Sequence, residues 1–183
     1  LAVPDPVVGG NFYEDFRLDA EDRGDSLALR CAGRDQDQVV LVEGSQRQLH
    51  HLSFGTDENG LDAAKTALEA NATELLDPPQ QAPGDGLWFR DPDGVLVNLC
   101  IAAPAPWAEA LEWRINSPGH VERRGARGFP PRDTVVKPRR LGHVLNFATD
   151  VDRQIEFYTR VLGMRLSDRS QDIVAFLHCP GGS

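Results

Sequence analysis

The order strand, helix, then two or three strands recurs three times along this chain, and the recurrence restricts the fold more than any single residue does. The echoes fall at matching places. Phe12-Tyr-Glu-Asp-Phe-Arg-Leu18 returns as Phe157-Tyr-Thr-Arg-Val-Leu-Gly163. Leu49-His-His51 opens one strand and Leu141-Gly-His143 another, and the tails Phe54-Gly-Thr-Asp57 and Phe147-Ala-Thr-Asp150 match with one residue of offset. Two such units side by side form a curved mixed sheet with a concave face and helices outside: an α+β fold of tandem βαβββ repeats. Alternation along each strand sends some side chains into the concavity, where a ligand or metal would sit.

The first repeat begins with Leu1-Ala-Val3 as the end of a strand, and Pro4-Asp5-Pro6 turns the chain into a helix, since proline suits a first helical turn. Val8, Phe12 and Phe16 recur at four-residue spacing and mark one helical face. Ser26–Cys31 and Val39–Val42 read as strands joined by a polar turn at Arg34-Asp-Gln-Asp37. The second repeat has a strand over 49–55, a helix with Leu61, Ala64, Leu68 and Ala72 on one side, and a loop over 76–86. Its hairpin joins Leu87-Trp-Phe89 to a strand over 95–101 through Asp91-Pro-Asp-Gly94, whose proline and glycine supply turn dihedrals. In that strand Val97 and Leu99 face one way, Asn98 and Cys100 the other.

Residues 104–139 form a connector, rich in arginine, glycine and proline after Trp107, Leu111 and Trp113. It reads as a solvated linker or oligomer contact rather than an anion site, and His120 within it as solvated. The third repeat has a strand over 141–149, a helix over 151–162 with Val151, Ile155, Tyr158 and Leu162 on one face, and strands over 164–166 and 172–179. Pro180-Gly-Gly-Ser183 starts a further turn, an ending in mid-unit that leads us to expect more chain.

A net charge of -9 argues against a nucleic-acid surface, and no apolar run spans a bilayer. The chain starts at Leu1 with no secretory pattern. Three widely spaced cysteines, Cys31, Cys100 and Cys179, fit reduced thiols in a cytoplasmic protein.

The succession of strand-opening histidine, Phe-Tyr on the helix, the Leu162-Gly163 step and the Asp-Pro-Asp-Gly hairpin resembles the vicinal oxygen chelate superfamily. Within it, the chain is most similar to the type I extradiol ring-cleavage dioxygenases. The resemblance implies that residues 1–103 are a metal-free N-terminal module and 140–183 the first, incomplete half of a catalytic module. It implies iron(II), alternatively manganese(II), held by two histidines and a glutamate, the first histidine mapping onto His143. The other two ligands and an acid-base histidine would follow Ser183; His178 is not assigned to catalysis. Such a ligand set leaves positions open for a catechol and dioxygen on the same ion. Leu145, two residues beyond His143, is expected on the same side, either lining the substrate pocket or packed in the core.

His51 occupies the equivalent position in the first module, and Asn98 stands where the superfamily often carries a glutamate ligand. A neutral amide is a poor substitute for a carboxylate at a divalent ion, so neither His51 nor His50 is expected to bind metal. The implied function is meta cleavage of a small aromatic diol by dioxygen, in a protein that binds neither nucleic acid nor membrane and forms a homo-oligomer. Two alternatives stay open: a non-enzymatic, resistance-type member that sequesters a small molecule, and a glyoxalase-like or thiol-transferase metalloenzyme.

Overall fold

A computed structural model describes residues 1–82, 85–104 and 137–180. Most of the connector, with Trp107, Leu111, Trp113 and His120, and the final residues 181–183 lie outside them. The fold is α+β with mixed sheets, as the repeat pattern implies. Within the described residues, one compact unit gathers 1–5, 42–104 and 143–180, and a second gathers 6–41 and 137–142.

The first repeat comprises β1 (Ala2–Val3), α1 (Pro6–Asp15), β2 (Asp19–Asp22), β3 (Ser26–Arg30) and β4 (Asp37–Glu43), in sheet order β1-β4-β3-β2. Ala28, Leu29, Cys31 and Leu41 form the buried interior of the second unit. Pro6 opens α1, but the helix does not bury the face marked by Val8, Phe12 and Phe16, since Phe12 is 58% and Phe16 56% exposed. The reason is Gly10, the buried residue of α1. It lies two residues from Phe12, about 200° around the helix, and the helix turns that side toward β3. A Cβ built on Gly10 would stand 2.3 Å from Leu27 Cδ2. The helix is where the spacing puts it, and its buried side is the one that carries Gly10.

The second repeat comprises β5 (Leu52–Thr56), α2 (Glu58–Ala70), β6 (Leu87–Arg90) and β7 (Leu96–Ile101), in sheet order β5-β7-β6. β5 runs parallel to β7 with Leu52 opposite Val97, and β6 antiparallel to it with Trp88 opposite Asn98. Alternation then sorts the side chains as expected. Phe89, Val97 and Leu99 face a core completed by Ala64 and Leu68 of α2, while Trp88 and Asn98 lie on the opposite face. Ala72 does not extend the helical stripe. It sits past the C-cap Asn71 at φ 52, in a terminal loop closed by Thr73 N to Leu68 O and Ala72 N to Glu69 O.

The third repeat supplies α3 (Val151–Val161), β8 (Arg165–Ser170) and β9 (Val174–His178). The repeated Phe-x-Thr-Asp tails end on equivalent residues. Asp57 caps α2 by accepting from Gly60 N at 2.8 Å, and Asp150 caps α3 by accepting from Arg153 N at 3.0 Å. α3 packs into the core of the second repeat, with Val161 buried against it and Phe157 set against Phe89 at a ring separation of 6.1 Å.

Residues 141–149 do not form the expected strand. In the first two repeats the opening strand pairs in parallel with the last strand of its own repeat. Among the described residues the third repeat has two strands after its helix, β8 and β9, and these pair with each other. With no strand paired to it among the described residues, 141–149 stays irregular and exposed. No helix among the described residues is long and apolar enough to cross a membrane.

Candidate metal centre

His143 lies in the middle of this unpaired stretch and is exposed. Upstream, Leu141 N donates to Gln38 Oε1 at 2.9 Å; downstream, Thr149 N donates to Asp93 Oδ2 at 3.1 Å. Leu145 is 76% exposed. The alternation argument that placed it beside His143 needs a paired strand, and among the described residues none pairs with this stretch. Among the described residues no group of three His, Cys, Asp or Glu side chains converges as a metal site. The donors present therefore do not by themselves fit an iron ion.

The corresponding place in the first module is built differently. His51 stacks edge-on against Trp88 at 5.1 Å, and its Nδ1 lies 2.8 Å from Nδ1 of His50. Burial, followed by the neighbouring charge of His50, lowers the His51 pKa to about 4 and keeps the ring neutral near pH 7. Asn98 is wholly buried, and every hydrogen bond it makes is internal. Its Oδ1 accepts from Ser53 Oγ at 2.7 Å, and its Nδ2 donates to the carbonyls of Asp85 at 3.2 Å and Leu87 at 3.4 Å. The amide ties β5, β7 and the approach to β6 together, a task for a donor and acceptor that a carboxylate cannot perform. Trp88 Nε1 is buried without a hydrogen-bond partner among the described residues.

His178 on β9 lies 2.6 Å through Nδ1 from Ser167 Oγ of β8, an exposed cross-strand contact. All three cysteines are free thiols; Cys31 is buried and Cys179 exposed.

Residues 140–183 match the family model described as Glyoxalase/Bleomycin resistance protein/Dioxygenase superfamily. Metapyrocatechase 2 of Cupriavidus necator is 36% identical over 186 residues, an alignment spanning 100% of this chain and 56% of that protein. Over residues 140–183 the chain is thus similar to that superfamily, and over its whole length to this relative. It spans little more than half the length of this curated relative. Among solved structures, the 2,3-dioxygenase LapB from Pseudomonas sp. KL28 has a TM-score of 0.68 at 18% identity, covering 97% of this chain and 63% of that one. BphC, a halotolerant catechol dioxygenase, has a TM-score of 0.64 at 17% identity, with 97% and 58% covered. At these identities the likeness shows the fold.

Sequence reading overlooked the side chains that join the second and third repeats. Asp91 was read only as a turn residue and Tyr158 only as part of an apolar face. Yet Asp91 is 6% exposed, and its Oδ2 accepts from Tyr158 OH at 3.1 Å. Burial, reinforced by the negative charge of Asp91, raises the Tyr158 phenol well above its ordinary pKa and keeps it protonated as the donor. A hint was available: a residue whose neighbours face the core and whose hydroxyl must find a partner.

Proposed function

We propose that residues 1–183 form the silent N-terminal module and the opening of the catalytic module of an extradiol ring-cleavage dioxygenase. Its substrates are a catechol-type aromatic diol and dioxygen, and its metal is iron(II), with manganese(II) the alternative. The carrying observation is the 36% identity that runs the whole length of the chain to a protein named for catechol cleavage. The repeat order and the TM-score of 0.68 to a 2,3-dioxygenase support the same architecture. In this reading His143 supplies one imidazole of the metal site, Leu145 follows it into the substrate pocket once the strand is paired, and the first module binds no metal. The protein works in the cytoplasm as a homo-oligomer.

The test is a chimaera in which residues 1–183 replace the aligned segment of Metapyrocatechase 2. Loaded anaerobically with iron(II) and then given catechol and air, it is expected to consume dioxygen and form a ring-opened product. His143→Ala abolishes turnover, whereas His51→Phe, which keeps a ring beside Trp88, retains it. A folded, iron-loaded chimaera that yields no product, or one whose turnover survives His143→Ala, overturns the assignment. Tight retention of an aromatic ligand unaffected by a chelator would point instead to a binding protein.

A further inference from the structure

The turn Asp91-Pro-Asp-Gly94 makes more hydrogen bonds than a hairpin needs. Its own closure uses one oxygen: Asp91 Oδ1 accepts from Asp93 N at 3.0 Å and from Val95 N at 2.9 Å. The second oxygen, Oδ2, is aimed at α3, where it meets Tyr158 OH at 3.1 Å and Gln154 Nε2 at 3.3 Å. Asp93 extends the contact. Its carboxylate accepts from Gln154 Nε2 at 2.7 Å and from Thr149 N at 3.1 Å, and Thr149 Oγ1 bonds its other oxygen. Two turn carboxylates thus hold the residue that ends the His143 stretch and the first two turns of the next helix.

We propose that Asp91 and Asp93 are positioning residues that dock the third repeat onto the first module, so that hairpin and helix α3 order each other. The physical basis is the cost of the buried Asp91 carboxylate. An ionised oxygen shielded from water is tolerable only when donors replace the lost hydration. Oδ1 has its donors from within the turn, but Oδ2 has them only while α3 is docked. Undocking α3 leaves its phenol and amide to find water. Breaking the turn leaves Tyr158 OH and Gln154 Nε2 without acceptors in a partly buried site. Hydrogen bonds from Thr149 and Gln154 hold the Asp93 carboxyl below its ordinary pKa of 3.8, consistent with an ionised acceptor. The docking concerns the two repeats alone and does not depend on what His143 binds.

Amide exchange of the 183-residue chain, followed by mass spectrometry, tests it. The variant Thr149→Val/Gln154→Leu/Tyr158→Phe leaves every bond inside the hairpin intact. Exchange over residues 149–161 is expected to rise on the order of tenfold, while Leu52–Thr56 and Leu96–Ile101 keep their rates. Asp91→Asn should accelerate the same helix in the parent but add little in a Gln154→Leu/Tyr158→Phe background, because those two side chains are the donors that α3 offers its Oδ2. Should Asp91→Asn fail to fold, Asp93→Ala against Thr149→Val/Gln154→Leu, which removes both side-chain donors to Asp93, gives the equivalent cycle. Unchanged exchange across α3 in the triple variant, or effects that simply add, overturns the proposal. Either result is read without catechol or iron, so the ring-cleavage assignment can fail while this one stands.

Discussion

Asn98 shows how one atom pair decides what a position can do. The sequence marked it as a weak metal ligand, and the fold explains why it is an amide: two carbonyl oxygens, of Asp85 and Leu87, need the donors of Nδ2. Asn98→Asp keeps the size, loses both donors and sets a carboxylate against those oxygens in a fully buried site. We expect a loss of about 2–4 kcal/mol at pH 7. Burial raises the pKa of the introduced carboxyl, so the folded form binds the proton more tightly than the unfolded chain. The penalty therefore shrinks as pH falls toward the unfolded aspartate value of about 4, where the neutral acid regains one donor. Urea midpoints at pH 7 and pH 5 check both statements; a variant as stable as the parent at pH 7 would show that the amide donors contribute nothing. His51 was legible as the equivalent of His143, but not its contact with Trp88 or its depressed pKa, because these depend on neighbours remote in sequence.

Among the elements, those with local signatures were read well. The hairpin and α3 follow from side chains within a few residues of one another, while the matching Phe-x-Thr-Asp tails were read as a repeat and the structure makes their aspartates N-caps. β2 was missed because Asp19-Ala-Glu-Asp22 has no apolar alternation. It is a strand through backbone pairing with β3 and through charge, with Arg30 bridging Glu21 at 2.8 Å. The end of α2 carries a small, correctable strain. Ala72 occupies a left-handed position at φ 52 that glycine adopts without steric cost. Ala72→Gly is expected to stabilise the chain by about 0.5–1 kcal/mol, since relief of the Cβ clash outweighs the added freedom of the unfolded chain. A thermal midpoint lower than the parent's would show that the terminal loop is not strained.

For the whole molecule, the unpaired stretch before α3 has a measurable consequence. Phe147 is 93% exposed and Leu145 76%, on a backbone that pairs with no strand among the described residues. Within the described residues, chymotrypsin is expected to cut the 183-residue chain first after Leu145 or Phe147. In the chimaera with Metapyrocatechase 2, pairing of this stretch as the repeat requires should slow those cuts by on the order of tenfold. Equal rates in the two proteins, measured by mass spectrometry of the earliest fragments, would mean that 141–149 is not an opening strand in waiting. Repeat order, helix caps, turn chemistry and the two faces of β7 were determined by the sequence alone, since each depends on dihedral preferences or periodicity over a few residues. The tertiary structure decided which side of α1 is buried, whether 141–149 becomes a strand, and where the spare oxygen of Asp91 points. Burial and strand pairing are settled by partners distant along the chain, and no local pattern records which partner is present.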